Sequence, residues 1–339
     1  MATLVLKHPN LNAMREGPRM VEVDINVLTP RWTRFCRDNN VKLHMIVLSE
    51  NRAGTGKLWP ASSIAVRGVS RGEHSGAEVA IDSTSGGYAL AWAVVISEYR
   101  RIDPTFPIKH FVAVIPRATP AEKRQMLEEA GVELVDAPDS QSAMKLASQI
   151  AEERGYWYTK QYWNPDNSAG YYGVAHWAAD HLPDTGLVAW GVGSGGGCSG
   201  VMPVFKERFT GRSFGLRRVA VVVEDGERVG GVRDAFGLKP GSLEWRAPNV
   251  DGVRFVGEDV SYRFSSAIWR QGEFVGPSTG FAAEGAMLAA RELELLRLLD
   301  EVRAPDEYVH MLIPSLDDRR PYRSEYEGKG IYLADSAWR

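Results

Sequence analysis

Residues 191–200 read Gly-Val-Gly-Ser-Gly-Gly-Gly-Cys-Ser-Gly, and this run constrains the fold more than any other feature of the chain. The apolar segment Leu187-Val188-Ala189-Trp190 precedes it and reads as a buried strand. Val201 to Lys206 follows and reads as the start of a helix. Without Cβ atoms, successive backbone amides can turn inward around an anion, and a helix N-terminus behind them adds partial positive charge. Strand, glycine loop and helix therefore make a phosphate cradle in principle. The spacing matches neither common nucleotide loop. No Lys-Ser/Thr closes the run, and no acidic ribose-binding residue ends a second strand about 20 residues on. A flexible surface loop is the competing reading.

An upstream lysine favours the cradle. The apolar run Leu43 to Leu48 reads as a strand, and Asn51-Arg52-Ala53-Gly54-Thr55-Gly56-Lys57 follows it. Lys57 thus stands where the next helix, Leu58 to Arg71, begins. A second turn, Asp82 to Tyr88, precedes an apolar helix from Ala89 to Val95. Its hydroxyls and amides suit a carboxylate. A third, Gly276-Pro277-Ser278-Thr279-Gly280, opens a small-residue helix from Phe281 to Leu288. Taken singly, a lysine is usually solvated and such a turn usually caps a helix. Together, they point to a phosphorylated cofactor bound covalently through an amine.

These segments resemble, in order, the motifs of the cysteine synthase and cystathionine β-synthase-like family of pyridoxal-phosphate enzymes. Asn51 to Trp59 is similar to the segment that carries the family's Schiff-base lysine, with Lys57 in that place. Thr84-Ser85-Gly86-Gly87-Tyr88-Ala89 resembles the loop that holds the substrate carboxylate. Gln161-Tyr162-Trp163-Asn164-Pro165-Asp166-Asn167 resembles the Gln-Phe-x-Asn-Pro-x-Asn stretch. Gly191 to Gly197 resembles the phosphate loop, and Gly276 to Gly280 the segment whose serine, here Ser278, meets the pyridine nitrogen. The resemblance runs from about Thr29 to about Ser324. It implies an α/β chain of fold type II, in two domains that are each a mostly parallel twisted sheet flanked by helices. It implies pyridoxal 5′-phosphate held by Lys57, Gly87, Gly193, Ser194, Gly195, Gly196, Gly197 and Ser278. The substrate would meet Thr84, Ser85, Gly86, Tyr88 and Gln161, and the protein would be a homodimer. Several positions depart from the family. Gly87 replaces the asparagine that would reach the cofactor's O3′, Gly197 replaces a threonine, and Leu58-Trp59 replaces Asp-Arg. No clear counterpart of the family's glycine-rich substrate segment stands near Arg246 to Gly252.

The rest of the chain agrees with this class. Short apolar runs alternate with helical patterns, as in His110 to Ile115, Pro120 to Ala130 and Val132 to Val135. This alternation implies βαβ units and parallel sheets. A boundary is expected near the aromatic stretch Gly155 to Tyr158. A smaller domain, 1–155, would carry Lys57 and the carboxylate loop, its first strand packing on the other domain. A larger one, 156–339, would carry the phosphate loop, and the site would lie in the cleft between them. The net charge of −3 without a Lys/Arg stripe argues against nucleic acid. No stretch of 18 apolar residues and no leader are evident, so a cytoplasmic protein acting on small molecules is expected. The scattered histidines and two cysteines, Cys36 and Cys198, argue against a metal site or a disulfide framework. Cys198 reads as a small apolar filler. Asp317-Asp318-Arg319-Arg320 reads as a solvated polar turn. A leucine stripe from Ala286 to Leu299 reads as a packed helix.

The expected reaction is β-replacement on serine or an O-activated serine, with Lys57 as the base at Cα and a nucleophile other than sulfide. Gly87 would leave room for something larger. A β-eliminating lyase or dehydratase is the first alternative. A non-catalytic relative acting as a binding module is the second, and Gly87 and Gly197 are what favour it.

Overall fold

The computed structural model describes residues 17–210, 216–232, 249–292, 308–334 and 338. The chain opens with β1 (Arg19–Glu22), α1 (Pro30–Asp38), β2 (Val41–Val47) and α2 (Leu58–Ser70). A strictly alternating stretch follows: β3 (Val79–Ser83), α3 (Gly87–Ile102), β4 (His110–Pro116), α4 (Ala121–Glu129), β5 (Glu133–Ala137), α5 (Ser140–Arg154) and β6 (Trp157–Tyr158). Then come α6 (Pro165–Ala169), α7 (Tyr172–His181), β7 (Thr185–Gly191), α8 (Gly196–Arg208), β8 (Arg217–Val223) and β9 (Gly252–Val256). The last are α9 (Glu258–Ile268), α10 (Pro277–Glu292), β10 (Val309–Ser315) and α11 (Arg323–Gly328).

The strands form two sheets. The smaller runs β5-β4-β3-β6 and is wholly parallel. The larger runs β1-β2-β10-β7-β8-β9 and is parallel except for β1, which pairs antiparallel with β2 at one edge. So β1 and β2 lie in the larger sheet, while Trp157-Tyr158 pairs with β3 in the smaller one.

Parallel strands covered on both faces read as continuous apolar runs, as here. Six of the seven residues of β7 are buried. One face of the larger sheet packs Val219, Val221, Met311 and Ile313 against Phe281, Ala282 and Trp32 of α10 and α1. The other packs Val188, Trp190 and Leu312 against α7 and α8 through Ala175, Val201 and Phe205. In the smaller sheet an aromatic cluster fills one face. Trp92 stacks on Phe111 at 5.4 Å, and Tyr88 meets both edge-on. Ala143, Ala147 and Ala151 of α5 cover the opposite face.

Two helices start earlier than the sequence pattern places them. The helix expected from Val201 begins at Gly196, inside the glycine run, with Gly195 as its left-handed N-cap at φ +76°. Packing outweighs the poor helix propensity of glycine here. A Cβ on Gly196 would stand 1.8 Å from Asn167 Oδ1, and one on Gly200 2.3 Å from the Ser168 carbonyl, so α6 and α8 approach only because both positions are bare. Likewise α10 starts at Pro277, not Phe281, since a proline suits the first helical position. The leucine stripe begins in α10, and its part from residue 293 onward lies outside the described residues, as do Arg246 to Pro248.

In parallel sheets, ligands gather beyond the carboxyl ends of the strands. The segments after β2, β3, β6, β7 and β10 carry, in turn, Lys57, Thr84-Ser85, Gln161, Gly193 to Gly197 and Asp317.

Candidate active site

Lys57 is placed by the turn that follows β2. Asn51 Nδ2 donates to the carbonyls of Leu48 and Thr55, and its Oδ1 accepts from the Ala53 amide. The Gly56 amide donates to the Leu316 carbonyl at 2.6 Å. A Cβ on Gly56 would stand 2.8 Å from Leu316 Cδ2, so only glycine lets this turn lie against the chain after β10. The result is a half-buried Lys57 at the start of α2.

Across from it stands the glycine loop. A Cβ on Gly193 would lie 3.6 Å from Lys57 Nζ. The first helical hydrogen bond of α8 runs from Ser199 N to Gly195 O. The amides of Gly196, Gly197 and Cys198 in the turn before it are therefore not used within the helix, and the helix dipole adds to their positive field. Ser194 is buried and accepts from Asn167 Nδ2 at 3.1 Å. Asn167 Oδ1 is buried with no partner among the described residues. A bare loop, unused amides and an amine beside them suit a phosphorylated aldehyde such as pyridoxal phosphate. Gly197 has a packing reason of its own, since its Cβ would stand 2.0 Å from Trp190 Nε1.

The loop after β3 forms the third wall. Gly86 has φ +118° and caps α3, so the helix N-terminus opens at Gly87. The Gly86 amide donates to Thr84 Oγ1 at 2.9 Å. Thr84 is buried, Ser85 is exposed, and the Ser83 hydroxyl is buried without a partner among the described residues. Gln161 donates from Nε2 to the Ser83 carbonyl at 2.6 Å, which locks the loop after β6 to this one. Lys57, Thr84, Ser85, Gln161, Gly193 and Ser194 line one cavity. Ser278 lies in an adjoining recess with Lys57 and the glycine loop.

Three findings modify the sequence expectations. Tyr88 does not present its hydroxyl as a free group. The phenol is 2% exposed and donates to Thr159 Oγ1, which donates in turn to Asp82 Oδ2. Burial pushes the Asp82 carboxyl up to about 7, while Thr159 and the amides of Gln161 and Ser83 pull it back. Tyr88 lines the cavity with Lys57, and its hydroxyl is part of a buried brace behind the loop. Second, the space left by Gly87 is partly taken. A Cβ there would stand 3.1 Å from Thr55 Oγ1 and 3.7 Å from Asp317 Oδ1. Third, Asp317 to Arg320 is not a solvated turn. Asp317 and Arg319 are each 7% exposed, and Asp317 lines the same cavity as Lys57. The apolar strand that runs straight into Asp317 is the signal that would have placed it at a ligand-bearing edge. Cys198 is half-buried, and burial pushes its thiol up to about 12, which fits a filler.

Lys123 was not singled out by the sequence. It is 4% exposed and packs behind Gly86, where burial lowers its pKa against the pull of Asp317 and Glu325. Its amine lies 4.1 Å from the centre of the Tyr322 ring.

This fold and site define a class. Residues 45–297 match the family described as pyridoxal-phosphate dependent enzyme, and the chain belongs to it. Cysteine synthases are among the proteins it is similar to. It is 26% identical to a cysteine synthase of Helicobacter pylori over 78% of this chain and 82% of that one. It is also 26% identical to a cysteine synthase of Staphylococcus aureus, over 76% and 83%. Among solved structures, an O-acetylserine dependent cystathionine β-synthase from Helicobacter pylori superposes with a TM-score of 0.76. That match is 20% identical and covers 96% of this chain and 99% of the other. An O-ureido-L-serine synthase superposes at 0.75, 20% identical, over 94% and 95%. These establish fold type II for the chain and pyridoxal phosphate as its cofactor. Among the described residues, no helix is long and apolar enough to cross a membrane.

Proposed function

We propose that this enzyme catalyses β-replacement on serine or an O-activated serine, with a nucleophile larger than sulfide. The observation that carries the reading is the convergence of Lys57, the loop from Ser83 to Gly87, Gln161 and the glycine loop on one cavity. Pyridoxal phosphate, when bound, supplies an electron-withdrawing ring that loosens the bonds around the Cα of an amino acid. The residues of this chain do the rest. Lys57 carries the cofactor and, once released, moves the proton at Cα. Gly193 to Gly197 and Ser194 hold the phosphate. Thr84, Ser85, Gly86 and Gln161 orient the substrate carboxylate, aided by the N-terminus of α3. The Ser83 hydroxyl, buried at the cavity wall with no partner among the described residues, joins them.

The preference for a larger nucleophile has its own support. A second cavity shares Ser85, Pro116, Ser140 and Gly231 with the first and extends past Lys123 to Glu227 and Glu325. It offers the second substrate a polar approach to the face of the loop. The neighbours named for O-ureido-L-serine and for cystathionine β-synthase accord with this direction. By the same resemblance, we assign the enzyme to the cytoplasm as a homodimer, which sedimentation equilibrium tests.

The test is a product assay. Purified enzyme with O-acetylserine is offered sulfide, larger thiols and amines, and products are read by mass spectrometry. Faster coupling with a larger nucleophile is expected. Efficient cysteine formation with no gain from larger nucleophiles contradicts the preference. Pyruvate and ammonia as the only products, whatever nucleophile is added, would make the enzyme a β-eliminating lyase.

A further inference from the structure

Asp317 is the buried charge that the reaction outlined above leaves unused. It stands just past β10, 7% exposed, with its backbone bridged to Thr55 on one side and its carbonyl accepting from the Gly276 amide at 2.7 Å. Its Oδ2 accepts from Ser278 Oγ at 3.0 Å, and its Oδ1 from Thr55 Oγ1 at 3.3 Å. A Cβ on Gly231 would stand 2.3 Å from Oδ2, so the chain there lies tight against the carboxylate. Among the described residues no lysine, arginine or histidine forms an ion pair with Asp317; the neighbouring Asp318 takes Arg319 and Arg320 instead. The buried amine of Lys123 sits over the Tyr322 ring and makes no ion pair with it either. Two hydroxyls and the longer-range pull of the Lys123 amine are what face this buried carboxylate, whereas such groups are normally matched by a positive partner in contact.

The direction of the Ser278 bond is decisive. A carboxylate only accepts, so the single hydroxyl proton of Ser278 is spent on Asp317. Toward any third group, Ser278 Oγ can then only accept.

We propose that Asp317, acting through Ser278, holds the ring nitrogen of the bound cofactor in its protonated form. This rests on the placement of Ser278 at that nitrogen. A protonated ring gives the buried carboxylate a nearer positive charge than Lys123, and it gives Ser278 a donor to accept from. Asp317 is then a positioning residue that sets the charge of the ring and so its electron-withdrawing strength. A serine with no acid behind it would be free to donate to an unprotonated nitrogen.

The experiment uses the full chain reconstituted with pyridoxal phosphate carrying ¹⁵N in the ring. The ¹⁵N chemical shift separates protonated from unprotonated nitrogen without turnover. The wild-type enzyme should show the protonated shift. Asp317→Asn, nearly isosteric, should move it to the unprotonated range while the visible band of lysine-bound cofactor stays. Its cofactor affinity should fall by about tenfold, the effect of losing one charge-assisted hydrogen bond. Ser278→Ala removes only the relaying hydroxyl and should give the same change of shift, which serves should Asp317→Asn fail to fold. An unprotonated wild-type ring overturns the proposal, as does a protonated ring that persists in Asp317→Asn. Persistence in both variants also removes Ser278 from the ring nitrogen. Failure of the cofactor to bind through Lys57 is read separately, from the visible band.

Discussion

Gly195 shows how much the site asks of single positions. Its φ of +76° lies where a β-branched residue is strained, and it caps the helix whose amides would face the cofactor phosphate. Gly195→Val should weaken pyridoxal phosphate binding by roughly tenfold, since the left-handed conformation costs about 1–2 kcal/mol. Titration of the apo-enzyme measures it, and an unchanged Kd would place the phosphate elsewhere. Tyr88 makes the opposite point. Its hydroxyl braces Thr159 from a fully packed position, so Tyr88→Phe should leave turnover near normal and cost about 1 kcal/mol of stability, read by denaturant melts. A collapse of kcat with unchanged stability would put the hydroxyl back in the chemistry.

At the scale of elements, β2 and β10 carry a pH-sensitive contact in the larger sheet. His44 Nε2 and His310 Nδ1 lie 2.8 Å apart on these adjacent parallel strands. Burial first, and then the neighbouring ring, lower His44 from 6.5 to about 4; burial also lowers His310. A base whose pKa is depressed on folding stabilises the protein while neutral. That contribution is complete above 6.5 and is lost as pH falls toward 4. As pH falls through this window, His44→Gln should lose less stability than the parent in urea melts, read as the difference between the two curves because the Asp82 carboxyl, raised to about 7, works in the opposite direction. Identical pH dependence in the two proteins would contradict the assignment.

The elements also show what the sequence could reveal. The loops after β2, β3 and β7 were legible because each is a local pattern: an apolar run, a few small or polar residues, then a helix. Helix starts inside glycine runs were not, because Gly196 and Gly197 join α8 by lying tight against Asn167 and Trp190 respectively, approaches that no local pattern displays. Asp317 escaped for the same reason. Its mixed-charge neighbours look solvated, and only pairing with Thr55, 262 residues away, draws it inside.

Across the whole molecule, the parallel strands of two sheets present their carboxyl ends to one cavity. The smaller sheet contributes the loop after β3 and Gln161. The larger contributes Lys57, the glycine loop and Asp317. Lys57 stands at the wall of that cavity and Lys123 is buried behind the loop, and the central claim is that Lys57, not Lys123, bears the cofactor. Borohydride reduction of the loaded enzyme, followed by proteolysis and mass spectrometry, fixes the adduct to one residue. The pyridoxyl mass should fall on the peptide bearing Lys57, and Lys57→Ala should leave no modified peptide. A modified Lys123 peptide, or an adduct that survives Lys57→Ala, would contradict the central claim.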